Sequence, residues 1–356
     1  MKPDKLLIRA DASLAIGTGH VMRCLALGQA WQDAGGSVIF ALATGVEELE
    51  PRLRSEGATV VRVTGETGSR EDAGETAELY TRCCADWLIL DGYHFSQSYR
   101  ESVKTEASHL LLLDDYGQSP PYKCDLVLNT NPFAVDAMYP QRSEQTRFLL
   151  GPQFALLRRE FLGFAMRTPH IPATAHRVLV TFGGADPHNV TLQVIDALQE
   201  ISDVPLDITV VVGASNPHRA SLSAALERYS HVARLLSNVE NMPEAMAQAD
   251  LAISAGGGTC HELAIMQVPM FLITMASNHE RNVEAYGRAG AALAAGWFST
   301  LGRESLAASL RALICDSKLR KELVENAMRM VDGRGAQRVV EAMRSMRMEE
   351  EESVTT

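Results

Sequence analysis

Nothing in the sequence approaches the ~20 continuous apolar residues that a membrane-spanning helix requires. Its basic opening, MKPDKLLIRAD, meets Arg9 and Asp11 after too short an apolar stretch for a signal-peptide core. The six cysteines, Cys24, Cys83, Cys84, Cys124, Cys260 and Cys315, include no pair at the spacing of a zinc knuckle or redox motif, so reduced thiols in a cytoplasmic protein are expected. An HExxH pair, a Walker lysine loop, a G-x-S-x-G elbow and carboxylates at metal spacing are all missing, and neither metal nor cofactor is expected. Basic residues are in deficit. With 33 Lys and Arg against 44 Asp and Glu, the net charge of -11 removes any general attraction to nucleic acid or anionic lipid. A local cluster of amides can still hold a small anion against that field.

What is present is a chain of 356 residues, 46% hydrophobic, enough for two globular domains. Short apolar runs at Leu6 to Ala10, Val38 to Ala43, Val60 to Val63, Trp87 to Leu90, His109 to Leu113 and Leu126 to Leu128 alternate with amphipathic stretches. That alternation predicts a parallel sheet covered on both faces. A second series restarts at Val178 to Phe182, Leu206 to Val212, Val232 to Leu236, Leu251 to Ser254 and Met270 to Ile273, with helices such as Val190 to Ile201 and Met242 to Gln248 between. The expected fold is α/β, two doubly wound parallel sheets in tandem. Residues 1–165 would form the first domain and 176–330 the second, joined by the proline-containing stretch RTPHIPATAH. A final helix from Leu319 to Met346 and an acidic, solvated tail are expected, residues 331–356 standing apart from both domains.

After the first strand, Gly17 and Gly19 precede a helical pattern and put His20 in its first turn. The glycines would let backbone approach a ligand, and the positive end of the helix would keep the imidazole neutral and able to take a proton from water. The same glycines also suit a tight strand-to-helix turn with an ordinary surface histidine. In the second half, Gly256-Gly257-Gly258-Thr259 lies between a buried strand and a helix, a side-chain-free turn suited to a diphosphate. Glu262, three residues past Thr259, could take ribose hydroxyls, or the two could form a capping box. Phe182-Gly183-Gly184-Ala185-Asp186 closes another strand with glycines, either a phosphate or sugar contact or a plain turn. Asn278, His279 and Asn282 follow the strand ending at Ile273, as ligand contacts or as a solvated loop. All lie at carboxyl ends of parallel strands, where ligands bind in such folds. Asp114 and Asp115 read as turn residues without a role, because adjacent strand-end side chains point to opposite faces.

The run Arg9-Ala-Asp-Ala-Ser-Leu-Ala-Ile-Gly-Thr-Gly-His-Val-Met-Arg23, then Ile89-Leu-Asp91-Gly-Tyr93, Leu128-Asn129-Thr-Asn131, the FGGAD run and GGGTCHELA together resemble the UDP-2,4-diacetamido-2,4,6-trideoxy-β-L-altropyranose hydrolase family of the pseudaminic acid pathway. That family looks like a relative of the GT-B glycosyltransferase that makes lipid II, whose nucleotide loop the stretch Asn238 to Glu262 also resembles. The resemblance implies a GT-B-like pair of domains with a cleft between them, and hydrolysis of a UDP-amino sugar. It implies His20 as base, Tyr93 and Asp11 beside the reacting centre, and Arg9 in the same sugar pocket. Further substrate contacts are implied from Gly17, Gly19, Arg23, Asn131, Gly183, Gly184, Asp186 and Asn278, with Gly257, Gly258 and Thr259 on the diphosphate, Glu262 on the ribose and backbone at Asn241 and Met242 on the uracil. Two positions depart from the family: Gly92 where it often has histidine, and His261 where it often has asparagine. A transferase of the same architecture and a catalytically silent nucleotide-sugar binding subunit are the competing readings. The expected partner is the UDP-amino sugar, with no nucleic acid and no membrane; oligomeric state stays open, monomer included.

Overall fold

A computed structural model describes residues 3–12, 17–43, 49–104, 109–117, 120–141, 143–165, 167–168, 170–184, 186–213, 216–229, 232–237, 239 and 241–355. Of the motifs above, Ser13 to Ile16, Ala185 and Asn238 lie outside the described residues, as do Met166 and Pro169 near the expected linker. The chain forms two compact units, residues 1–159 with 333–356, and residues 160–332.

The first unit is built on seven strands: β1 (Lys5–Ala10), β2 (Ser37–Leu42), β3 (Thr59–Arg62), β4 (Trp87–Asp91), β5 (His109–Leu113), β6 (Leu126–Asn129) and β7 (Arg147–Leu150). They run in the order β3-β2-β1-β4-β5-β6-β7, and every pairing is parallel. Strand residues such as Leu6, Ile8, Trp87, Ile89 and Leu111 are wholly buried, as a sheet covered on both faces demands. The order reverses between β1 and β4, the switch point where doubly wound sheets open a crevice at their carboxyl edge.

The second unit repeats the plan with β8 (Arg177–Thr181), β9 (Asp207–Val212), β10 (Val232–Ser237), β11 (Leu251–Ala255), β12 (Met270–Thr274) and β13 (Leu293–Trp297), ordered β10-β9-β8-β11-β12-β13 and again parallel. Its switch point lies between β8 and β11. The sequence pattern missed one edge strand in each unit. β7 is only four residues long, and β13 alternates half-buried and exposed positions through Ala294, Ala295 and Gly296, residues of low strand propensity.

Two expectations about the chain's course need correcting. The stretch around Pro172 belongs to the second unit: the buried Arg320 guanidinium donates to the carbonyls of Pro172 and Ala173, and the Ala175 amide donates to the Ile314 carbonyl. The expected final helix is two helices, Ser317–Met330 and Gly335–Thr355, because Gly333 between them takes a left-handed φ of 81° that interrupts the helical bonds. The second of these returns to the first unit. Val339, Val340, Met343 and Met346 are buried in its core cluster beside Leu27 and Trp31, each contributing on the order of 1.5–3 kcal/mol. Its backbone stays helical to Thr355, through the acidic residues read as a tail.

Candidate active site

Both halves of the first candidate site sit at the β1/β4 switch point. Gly17 turns the chain after β1 with a φ of 77°, and His20 is the second residue of the helix Gly19–Asp33. Its Nδ1 lies 2.6 Å from Oδ1 of Asp91, the last residue of β4 and fully buried. An ionised carboxylate only accepts, so Nδ1 carries the proton and Nε2 is left with a lone pair. Just over one turn of the same helix serves Asp91. Arg23 donates from Nε to Oδ2 at 2.7 Å and from Nη2 to Oδ1 at 2.6 Å, and the Cys24 thiol reaches Oδ2 at 3.4 Å. Positions i, i+3 and i+4 share a helix face, which is why His20, Arg23 and Cys24 converge on one group. Burial alone would push the Asp91 carboxyl up, but the Arg23 guanidinium and His20 hold it well below the ordinary carboxylate range.

A second carboxylate completes the cluster. Arg23 donates to Asp115 at 2.8 and 3.1 Å, and the Tyr93 hydroxyl donates to Asp115 Oδ2 at 2.8 Å. Asp115 is thus misjudged as a turn residue, whereas Asp114 fits that reading and accepts the amides of Tyr116 and Gly117. The Tyr93 ring stands edge-on to His20 with centroids 4.9 Å apart, while the residue stays 64% exposed. Desolvation of its hydroxyl and the Asp115 carboxylate raise the phenol well above its ordinary value, keeping it a donor. Asn131 Nδ2 donates to Asp115 Oδ1 at 3.2 Å and to Asn129 Oδ1 at 2.8 Å, so it braces the carboxylate. Asp91 and Asp115 are the residues to which sequence reasoning gave no role. The spacing of His20, Arg23 and Cys24 on one helix face was the available signal for a shared buried anion.

Arg9 and Asp11 do not present themselves as sugar contacts. Arg9 is fully buried, bound to both oxygens of Asp72 at 2.8 and 2.9 Å and to Asp11 at 2.7 Å. Asp11, 1% exposed, also accepts the Ala43 amide at 2.8 Å and the Thr67 hydroxyl at 3.2 Å. Together they brace strand ends β1 and β2 against the helix Arg70–Cys83, because a buried guanidinium needs its charge matched and its donors filled. The glycine at 92 has a local reason. A Cβ there would come within 2.5 Å of Cε1 of His94, whose ring covers that position.

In the second unit, Gly183 follows β8 with a φ of 80°, and a Cβ on Gly213 would meet the Gly184 carbonyl at 2.5 Å, so these loops touch backbone to backbone. Asp186 is 2% exposed and spends both oxygens on the helix Val190–Gln199, accepting the amides of Val190 and Thr191 at 2.9 Å each and the Thr191 hydroxyl at 2.6 Å. Its carboxylate thus takes the first two amides of that helix, whose N-cap is Asn189. Asn241 caps the helix Met242–Ala247 through the Glu244 amide. The three glycines after β11 differ among themselves. A Cβ on Gly256 would strike the His279 carbonyl and Val283, both at 2.7 Å, so packing demands that glycine. Among the described residues, Gly257 would meet only His279 Nε2 at 4.0 Å and Gly258 nothing, so their packing leaves both places open. The helix Thr259–Ile265 takes Gly258, not Thr259, as its N-cap, which puts Thr259 and Glu262 one residue out of register for a capping box. Asn278 is exposed, and the Asn282 amide donates to the Gly256 carbonyl at 2.9 Å.

Two parallel-sheet α/β units of this strand order constitute a GT-B fold. The structure is similar to that of Acinetobacter baumannii MurG, with a TM-score of 0.68 and 16% identity over 96% of this chain and 100% of that one. Residues 177–341 match the model of the glycosyltransferase family 28 C-terminal domain. The chain is also similar to the UDP-2,4-diacetamido-2,4,6-trideoxy-β-L-altropyranose hydrolase of Campylobacter jejuni, 25% identical over 288 residues that cover 78% of this chain and 93% of that protein. It is 24% identical to the uncharacterized protein MJ1062 of Methanocaldococcus jannaschii over 76% of this chain, a match that spans only 55% of that longer relative. Among the described residues, no helix is long and apolar enough to cross a membrane.

Proposed function

We propose that this protein hydrolyses a UDP-linked amino sugar, with UDP-2,4-diacetamido-2,4,6-trideoxy-β-L-altropyranose as substrate, in pseudaminic acid biosynthesis. His20 Nε2 takes a proton from water as its oxygen bonds to the anomeric carbon. The bond from that carbon to the diphosphate oxygen breaks, and UDP leaves with the electron pair. Attack opposite the leaving group inverts the configuration. Asp91 fixes the tautomer that exposes the Nε2 lone pair and stabilises the imidazolium, the role a carboxylate plays behind a catalytic histidine elsewhere. Tyr93 offers an exposed ring to the sugar and holds the imidazole edge. In the second unit, the amides of Gly257, Gly258 and Thr259 would bind the diphosphate, Glu262 the ribose and backbone at Asn241 and Met242 the uracil. A glycine that neither backbone strain nor packing requires is one whose missing side chain makes room for something else.

The observation that carries this reading is the 2.6 Å pairing of His20 with a buried carboxylate at the switch point of the first unit; likeness to the Campylobacter hydrolase supports the substrate. It is tested by incubating full-length protein with the diacetamido sugar nucleotide and following UDP release in parent and His20→Ala. Equal release by both would overturn it. The family 28 match and the MurG likeness favour a second reading, a glycosyltransferase in which an acceptor hydroxyl replaces water. UDP release with no acceptor present separates the two.

A further inference from the structure

The residue beside the triple-glycine loop that has no role so far is His279. It lies in the first turn of the helix Ser277–Arg288, which follows β12 as the loop follows β11, and these strands are neighbours in the sheet. Its main chain packs on Gly256, and its Nε2 comes within 4.0 Å of the place a Cβ on Gly257 would take. The loop is fixed against this helix by the bond from Asn282 to the Gly256 carbonyl, 2.9 Å long.

We propose that His279 is a ligand for the terminal phosphate of a nucleoside diphosphate seated on this loop, donating a hydrogen bond from Nε2. The tautomer follows from the other nitrogen. Nδ1 is buried and has no hydrogen-bond partner among the described residues. An orphaned lone pair is tolerated better inside a protein than an orphaned N–H, so Nδ1 is bare and the proton sits on Nε2, which looks over Gly257. Burial also pushes the imidazole below its ordinary value, keeping it neutral before an anion arrives. When the bond to the sugar breaks, negative charge grows on that terminal phosphate, and a fixed donor there stabilises the leaving group without itself losing a proton. This rests on reading the second unit as the nucleotide-binding one.

The test is calorimetric titration of full-length parent, His279→Ala and His279→Gln with UDP, UMP and uridine. The expected result is UDP binding roughly tenfold weaker in the alanine variant, as for loss of a hydrogen bond to a charged group, with UMP and uridine unchanged within about twofold. The glutamine variant, whose amide reaches a similar distance, recovers most of the loss. Equal weakening for all three ligands, no weakening for UDP, or a glutamine variant as poor as alanine overturns the proposal. A parent that binds uridine compounds not at all overturns the nucleotide reading as well, which the variants alone would not. Matched thermal melts of the three proteins separate a lost contact from a lost fold.

Discussion

Asp91 accepts a hydrogen bond from His20 Nδ1 at 2.6 Å while the same carboxylate is bound by Arg23 through both Nε and Nη2. One buried anion therefore orients the imidazole and is itself held ionised. Asp91→Asn is expected to lower UDP release by about 10²- to 10⁴-fold, because an amide can point either an oxygen or an N–H at Nδ1 and no longer stabilises imidazolium. Combined with His20→Ala it should cost little more than His20→Ala alone, since the two act as one unit. Additive losses in that cycle would show Asp91 working by another route.

Acid should unfold the first unit through the same group. The Asp91 and Asp115 carboxyls are held below their ordinary values in the fold, chiefly by Arg23 working against burial. A depressed folded value means that their contribution is complete above the unfolded value of about 4 and is lost as pH falls below it. Melting temperatures between pH 6 and 3 should fall more steeply for the parent than for Asp91→Asn, which is less stable at pH 7 by on the order of 3 kcal/mol. Parallel curves would contradict this.

The glycines divide into two kinds that alanine separates. Gly19 and Gly258 have no positive φ and, among the described residues, no atom within 4 Å of an added Cβ. Gly19→Ala should keep or slightly raise the melting temperature, alanine being the better helix former, and Gly258→Ala should lower it only slightly, costing about 0.5–1 kcal/mol, because glycine is preferred to alanine at an N-cap. Catalytic efficiency in the first and UDP affinity in the second should fall about tenfold if a ligand occupies that space, the scale of a steric clash of 1–3 kcal/mol. Gly256→Ala, by contrast, should destabilise the fold by about 1–3 kcal/mol through its clash with the His279 carbonyl.

Two residues that resemblance put in the substrate pocket should behave as structural. Arg9→Met leaves Asp72 and Asp11 buried without their cation and should cost on the order of 3–5 kcal/mol. Asp186→Ala removes the acceptor of the first two amides of the helix Val190–Gln199 and should cost about 0.5–2 kcal/mol, as for a lost capping side chain, with UDP affinity unchanged. A change in KM without loss of stability in either variant would restore the substrate role.

Most of the sheets could be read from sequence because their strands are continuous buried runs, such as Leu6 to Ala10 and Met270 to Ile273. β13 escaped because Ala294, Ala295 and Gly296 carry no strand preference, and its place is set by pairing with β12. The glycine loops and His20 announce themselves by local spacing. Asp91 and Asp115 do not, since their partner Arg23 is 68 and 92 residues away in sequence and only the strand order brings them together. For the same reason Arg9, a strand residue that pattern alone cannot distinguish from a ligand contact, is known as a brace only once Asp72 is seen against it.

The central claim, that water deprotonated by His20 displaces UDP from the anomeric carbon, is tested most directly by NMR of the sugar released by the parent protein before it mutarotates, with no acceptor added. The account predicts free UDP and a sugar of inverted anomeric configuration, both reduced about 10²- to 10⁴-fold in His20→Ala. Retained configuration, or no release until an acceptor is supplied, would contradict it.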